Sequence, residues 1–184
     1  MASKCYWITG LSATGKTTYS NLLVNHFRTA GKQVIQLDGD ELRQVFAAET
    51  YTREERIALV MRYARLCHLL SSQGVDVVIA VIGLFKEIHK WNRENIPNYI
   101  EIFIDTPLDE LIRRDLKGLY KRYISGEINN IAGMDLKIDF PEDPDICIKY
   151  FPEDPDICIK WSNGRSIESM FDELLRKCIN IVKE

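Results

Sequence analysis

The stretch KCYWITGLSATGKTT, Lys4 to Thr18, decides the fold. Lys4 to Thr9 reads as a short apolar strand. It runs directly into Gly10-Leu11-Ser12-Ala13-Thr14-Gly15-Lys16-Thr17, an instance of G-x-x-x-x-G-K-[ST]. An apolar-periodic helix follows from about Lys16 to Ala30, with Thr18 in its first turn and Gly31 closing it. The glycines let the backbone curl so that several N–H groups and the positive helix end converge on an anion. In such a loop Lys16 reaches the β- and γ-phosphates, and the Thr17 hydroxyl is placed to ligate Mg²⁺. An ordinary glycine turn is the alternative, and the strand-loop-helix context weighs against it. Residues 10–18 therefore predict a site for ATP or GTP.

Working outward, Gln33 to Leu37 reads as a second strand and Val75 to Ile82, rich in Val and Ile, as a strand buried on both faces. Tyr99 to Ile104 is a fourth. Helical patterns cover Thr52 to Ser72, Phe85 to Asn95, Leu108 to Arg114 and Ile167 to Val182. Strands alternating with helices predict an α/β domain: a three-layer sandwich with a mostly parallel sheet and helices on both faces. Lys117 to Met134, rich in Lys, Arg, Tyr, Gly and Asn with weak periodicity, reads as a mobile lid, so that the lid spans about 114–134.

The 184 residues suit a single domain, and 24 Lys and Arg against 27 Asp and Glu give a net charge of −3. That balance provides no general field for nucleic acid or an anionic membrane. The longest apolar run, Val77 to Leu84, is far short of the roughly 20 residues of a membrane helix. The start, MASKCYWITG, lacks a basic region followed by a signal-type apolar stretch, so a cytoplasmic location is expected. Cys5, Cys67, Cys147, Cys158 and Cys178 form no CxxC pair and read as reduced, mostly buried thiols. His26, His68 and His89 show no ligand spacing and read as solvated or core histidines, and Trp91, Tyr99 and Phe103 as packing between helix and strand.

One segment is duplicated: FPEDPDICIK at Phe140 to Lys149 recurs at Phe151 to Lys160, an eleven-residue period across 140–150 and 151–161. Each copy reads as a proline-flanked acidic loop leading into a short strand. Two such strands cannot fill one slot in a sheet, so one copy takes the strand position and function does not rest on the other. The second copy carries Glu153, Asp154 and Asp156 against Lys160, and thus two of the three net negative charges.

Asp38-Gly39-Asp40 follows the second strand, at the sheet edge where ligands of open α/β folds bind. One carboxylate there suits accepting a proton from an attacking hydroxyl, the other supporting the magnesium shell or the loop. Equally, Asp38 or Asp40 suits capping a helix that begins near Glu41. The run Arg113, Arg114, Lys117, Lys121, Arg122 fits either a solvated helix face or charge stabilisation of a transferring phosphoryl group. It is too short for a nucleic-acid stripe. A guanine-reading N-K-x-D is absent, which points to a small-molecule kinase. A binding module that uses ATP only as a switch is the reading from another class.

GLSATGKT, DGDELR at Asp38 to Arg43, RDLKGLYKRYISGEI at Arg114 to Ile128, and AGMD at Ala132 to Asp135 with the following PEDPDI together resemble the P-loop adenylylsulfate kinases. The likeness covers nearly the whole chain apart from one repeat copy. It implies transfer of the ATP γ-phosphoryl, with Mg²⁺, to the 3′-hydroxyl of a nucleoside whose 5′-phosphate carries a further anionic group. By the same match Asp40 is the base, and Lys16 and Arg114 serve the ATP. Arg43 and Arg56 take the substrate's phosphate side, with Asp38, Gly83 and Leu84 beside it. Lys117 and Lys121 belong to the lid over the nucleotides, and a homodimer is implied.

The departures from that pattern point to a branch of the family. Where a serine-proline-aromatic-arginine run follows the third strand, this chain reads Gly83-Leu84-Phe85-Lys86. The family's asparagine after the substrate arginine aligns with Leu59, a lid lysine with Asn129, and the lid aromatic that clamps the substrate adenine with Ile131. Tyr51 supplies the other face of that clamp. In these respects the chain is similar to the cytidine diphosphoramidate kinases of bacterial capsule biosynthesis, which phosphorylate the 3′-hydroxyl of a cytidine nucleotide bearing a phosphoramidate. A lost base–aromatic stack, worth ~1–3 kcal/mol, weighs against adenine, and a smaller pyrimidine between Tyr51 and Ile131 is physically reasonable. The alternative is an adenylylsulfate kinase that makes 3′-phosphoadenylyl sulfate, with Ile131 replacing one apolar clamp by another.

Overall fold

In the computed structural model, residues 3–48 and 52–149 are described, together with 172, 175 and 176. Strand β1 (Cys5–Thr9) is buried along its whole length because it lies in the middle of the sheet. On one side it pairs in parallel with β3 (Asp76–Val81), which pairs in turn with β2 (Val34–Asp38). On the other it pairs with β4 (Tyr99–Asp105), whose outer neighbour is β5 (Ile146–Lys149). The order is β2-β3-β1-β4-β5 with every ladder parallel, as the strand-helix alternation predicts.

Period-two alternation on these strands makes two apolar layers. Tyr6, Ile8, Val78, Ile100, Ile102 and Ile104 face helix α1 (Lys16–Thr29), which contributes Tyr19, Leu23, Val24 and Phe27. Cys5, Trp7, Val77, Ile79 and Val81 face the other way, onto α3 (Arg53–Ser72) and α4 (Lys86–Asn95). Helix α3 is started by a full capping box: Thr52 accepts the Glu55 N–H, and Glu55 accepts the Thr52 N–H. A third apolar cluster, with Leu11, Leu84, Phe103, Tyr120, Ile131 and Leu136, lies under the 114–134 segment.

Two short helices complete the layers, the first where the sequence allows a capped helix near Glu41, the second where the sequence pattern is weak. Helix α2 (Gly39–Val45) starts at the DGD motif, and α6 (Leu119–Ile124) lies inside the lid segment, just after α5 (Leu108–Arg114). The first repeat copy fills the edge position: β5 is its Ile-Cys-Ile-Lys. The second copy, Cys158, Cys178, and the expected helix from Ile167 to Val182 apart from Asp172, Leu175 and Arg176, lie outside the described residues, and those three are helical. Cys5 and Cys67 are buried free thiols and Cys147 is half-buried. Among the described residues no helix is long and apolar enough to cross a membrane.

A buried acid fixes the α4 side of the sheet. Glu101, 2% exposed on β4, is met by His89 Nδ1 at 2.7 Å, the Tyr99 hydroxyl at 3.1 Å and Arg93 at 3.2 Å. Arg93 continues to Asp145 at 2.8 Å, and Asp145 accepts the Glu101 N–H at 2.7 Å. Asp139, just ahead of the first repeat copy, is held by Arg53 at 2.6 Å. These contacts tie the first copy to the sheet edge through side chains as well as through the ladder.

Candidate active site

The loop after β1 is shaped by close backbone approach. A Cβ on Gly10 would lie 2.7 Å from the Ile104 carbonyl oxygen, so only glycine fits there. Gly15, at φ 92°, turns the chain into α1, and Ala13 also sits left-handed at φ 65°. Strain of that kind is stored where a loop must hold a set shape. The α1 N-terminus has no side-chain cap and no acidic residue in its first turn, so its N–H groups and positive dipole end are open to an anion. Leu11 O accepts both the Thr14 hydroxyl at 3.0 Å and Lys16 Nζ at 2.6 Å. Burial, and next the charge of Lys117, lower the Lys16 pKa to about 7, against the opposing pull of Asp40 and Asp38.

Asp38 does the capping that its sequence allows and more. One of its oxygens accepts the Asp40 N–H at 2.8 Å, starting α2, and the other accepts the Thr17 hydroxyl at 2.9 Å. Thr17 and Asp38 thus present two adjacent hard oxygens at the mouth of the loop, a donor set that suits Mg²⁺. Asp40 points away from the cap, exposed, with Lys117 Nζ 2.8 Å from its carboxylate. That hydrogen bond, with the charges of Lys117, Lys16 and Arg43, holds its pKa below the usual carboxylate value although partial burial opposes them.

The cations converge from three elements. Arg43 is exposed on the last turn of α2. Arg56, in the first turn of α3, is half-buried and donates to the Asn130 carbonyl at 2.8 Å, tying α3 to the lid segment. Burial, then the Arg43 charge, lowers its pKa. Arg114, at the end of α5, is held by the buried Glu110 at 2.6 Å. A cavity of about 420 Å³ lies between these groups, within the range of small-molecule sites.

Residues 12–18, Asp38, Asp40, Arg43, Arg56, Arg113, Arg114 and Lys117 line that cavity. Gly10 and Leu11 lie beneath the loop, and Lys121 and Arg122 are exposed on α6, Arg122 pairing with Glu127. Gly83 packs on Trp7, where a Cβ would come within 2.9 Å, while Leu84 and Ile131 are buried in the third apolar cluster. Tyr51 lies outside the described residues. The sequence reading did not single out Val60 and Tyr63, which with Leu59 form an apolar wall on α3. Their signal was the spacing 56, 59, 60, 63, one face of a helix.

The family model for adenylylsulphate kinase matches residues 2–149, which include this whole lining. The chain belongs to the adenylylsulphate kinase family. It is 40% identical over 136 residues to the cytidine diphosphoramidate kinase of Campylobacter jejuni subsp. jejuni serotype O:2, covering 74% of this chain and 80% of that one. It is 38% identical over 141 residues to the adenylyl-sulfate kinase of a Picosynechococcus strain, covering 76% and 80%. The Mycobacterium tuberculosis APS kinase CysC, solved in complex with AMPPNP and APS, superposes with a TM-score of 0.80 at 28% identity, covering 100% of this chain and 99% of that one. The chain is accordingly a phosphotransferase of the P-loop α/β fold, which sets aside the reading of a module that uses ATP only as a switch.

Proposed function

We propose that the chain transfers the γ-phosphoryl of ATP to the 3′-hydroxyl of a cytidine nucleotide bearing a phosphoramidate. The observation that supports the cytidine reading is the cavity wall: Leu59, which the resemblance aligns with the family's asparagine, lines it, while Ile131, which it aligns with the adenine clamp, is buried in the third apolar cluster and is not part of the lining. The 40% identity to the Campylobacter enzyme supports the same substrate, and the APS-bound structural relative favours adenylyl sulfate as the second reading.

In this proposal the loop N–H groups and Lys16 hold the ATP phosphates, with Arg114 beside them. Thr17 and Asp38 hold Mg²⁺, which when bound neutralises phosphate charge. Arg43 and Arg56 bind the acceptor's phosphate side, and Asp40 takes the 3′-hydroxyl proton. Lys117, hydrogen-bonded to the Asp40 carboxylate, moves onto phosphate when nucleotides arrive. That exchange frees the carboxylate and restores its basicity. The unit works as a cytoplasmic homodimer.

The test is ADP release with cytidine diphosphoramidate and with adenylyl sulfate side by side. A higher kcat/KM for the cytidine compound is expected, and a clear preference for adenylyl sulfate refutes the cytidine reading. Light scattering checks the dimer.

A further inference from the structure

Among the polar side-chain atoms of α3, Arg53 Nε, Arg56 Nε and the Tyr63 hydroxyl are buried without a hydrogen-bond partner, and of these residues Arg56 and Tyr63 line the cavity. These last two are seven positions apart, two helical turns, with Leu59 and Val60 between them on the same face. The Tyr63 ring is wedged between α2 and α3: it lies 5.7 Å from the Phe46 ring, and its hydroxyl feels the charges of both Arg43 and Asp40. Burial raises its pKa, so the group stays a protonated hydroxyl, able both to donate and to accept.

A buried hydroxyl with no partner is destabilising and calls for an explanation, and among the described residues with such an atom Arg56 and Tyr63 are the two that line the cavity. Packing alone does not explain this one, since phenylalanine would fill the same volume without the penalty. We infer that the Tyr63 hydroxyl is a further hydrogen-bond partner of the acceptor nucleotide, on the phosphate side that Arg56 also serves. An amide-bearing phosphate offers N–H donors as well as oxygen acceptors, and a hydroxyl that does both can meet either. The inference rests on the proposed kinase reaction for the identity of the acceptor.

Tyr63→Phe tests it. The acceptor KM should rise about 3- to 10-fold, in line with the loss of one neutral hydrogen bond. ATP KM should stay within about twofold, and the melting temperature should not fall, because the variant removes an unsatisfied group. The dissociation constant of the acceptor, measured in the presence of a non-hydrolysable ATP analogue, should weaken in parallel. An unchanged acceptor KM and dissociation constant overturns the inference. So does a parallel rise in ATP KM with a lower melting temperature, which marks a structural role. The measurement uses the acceptor that the unmodified enzyme prefers. A preference for adenylyl sulfate then refutes the cytidine reading and leaves Tyr63 to be judged on that substrate.

Discussion

Raising the pH above 7 should weaken ATP binding through Lys16 alone, and the size of the effect follows from its surroundings. Its pKa is lowered to about 7, first by burial and then by the charge of Lys117. Bound triphosphate brings anionic oxygens to the ammonium and returns its pKa toward the ordinary value. The free protein therefore holds less proton at Lys16 than the complex, and binding takes protons up. At pH 8 the free lysine is about nine-tenths neutral, so uptake should be about 0.9 proton per ATP, falling to about 0.5 at pH 7. Between pH 7.5 and 9 the affinity should drop nearly tenfold per unit, about 1.4 kcal/mol. Calorimetric titration with AMPPNP at fixed Mg²⁺, in two buffers of different ionisation enthalpy, reads the uptake directly at a pH where the nucleotide itself no longer titrates. Lys16→Arg, which keeps its charge throughout, should show weaker affinity with a flat profile. Uptake below about 0.2 proton at pH 8 would refute the reasoning.

Three further outcomes are expected. Asp40→Asn should keep AMPPNP affinity while ADP release falls by about 10²- to 10⁴-fold, the range for a lost general base; retained turnover removes Asp40 from that role. Glu101→Ala removes the buried carboxylate that His89, Arg93 and Tyr99 share, while Arg93 keeps Asp145, and should cost about 1.5–3 kcal/mol in denaturant unfolding; Glu101→Gln should cost less, and equal losses would count against the charge network. Deleting residues 151–161 leaves every contact of β5 given above in place, so kcat and melting temperature should change little; a large loss of either would show that the second copy matters.

The strands and the long helices were legible because periodicity and punctuation agree: Gly31 closes the first long helix, and β1 and β3 are apolar runs. Helix α5 was legible with its bounds and α2 through its capping residues, whereas α6, six residues inside the Lys-, Arg- and Tyr-rich lid segment, shows no clear period. The DGD motif was read as a carboxylate pair or a cap. The structure gives Asp38 the cap and the Thr17 contact, and leaves Asp40 to Lys117. The Glu101 network was missed although its signal was present, a lone acid inside the apolar strand Tyr-Ile-Glu-Ile-Phe-Ile. Which partners satisfy such an acid depends on β4 and α4 coming together, and no local pattern carries that. The orphan hydroxyl of Tyr63 is likewise invisible in sequence, where the residue is one more apolar position on α3.

The cations around the cavity differ in how firmly they are held, and this decides which of them can respond to a nucleotide. Arg114 shares with Arg113 the buried carboxylate of Glu110, so it is held within a charge cluster on α5. Arg56 is anchored on the Asn130 carbonyl and enclosed by α3 and the lid segment. These two are fixed features against which a phosphate must fit. Lys16 rests on a single loop carbonyl, and Lys117 pairs with Asp40 where both side chains are more than half exposed. An exposed pair of that kind is worth about 0–1 kcal/mol, whereas a charge-assisted hydrogen bond to a bound phosphate contributes about 1.5–3 kcal/mol. In the proposed reaction the exchange of Lys117 from carboxylate to phosphate would therefore be downhill once nucleotide is present. By the same proposal that step uncovers Asp40, so the carboxylate would regain its basicity when a phosphate takes Lys117 away.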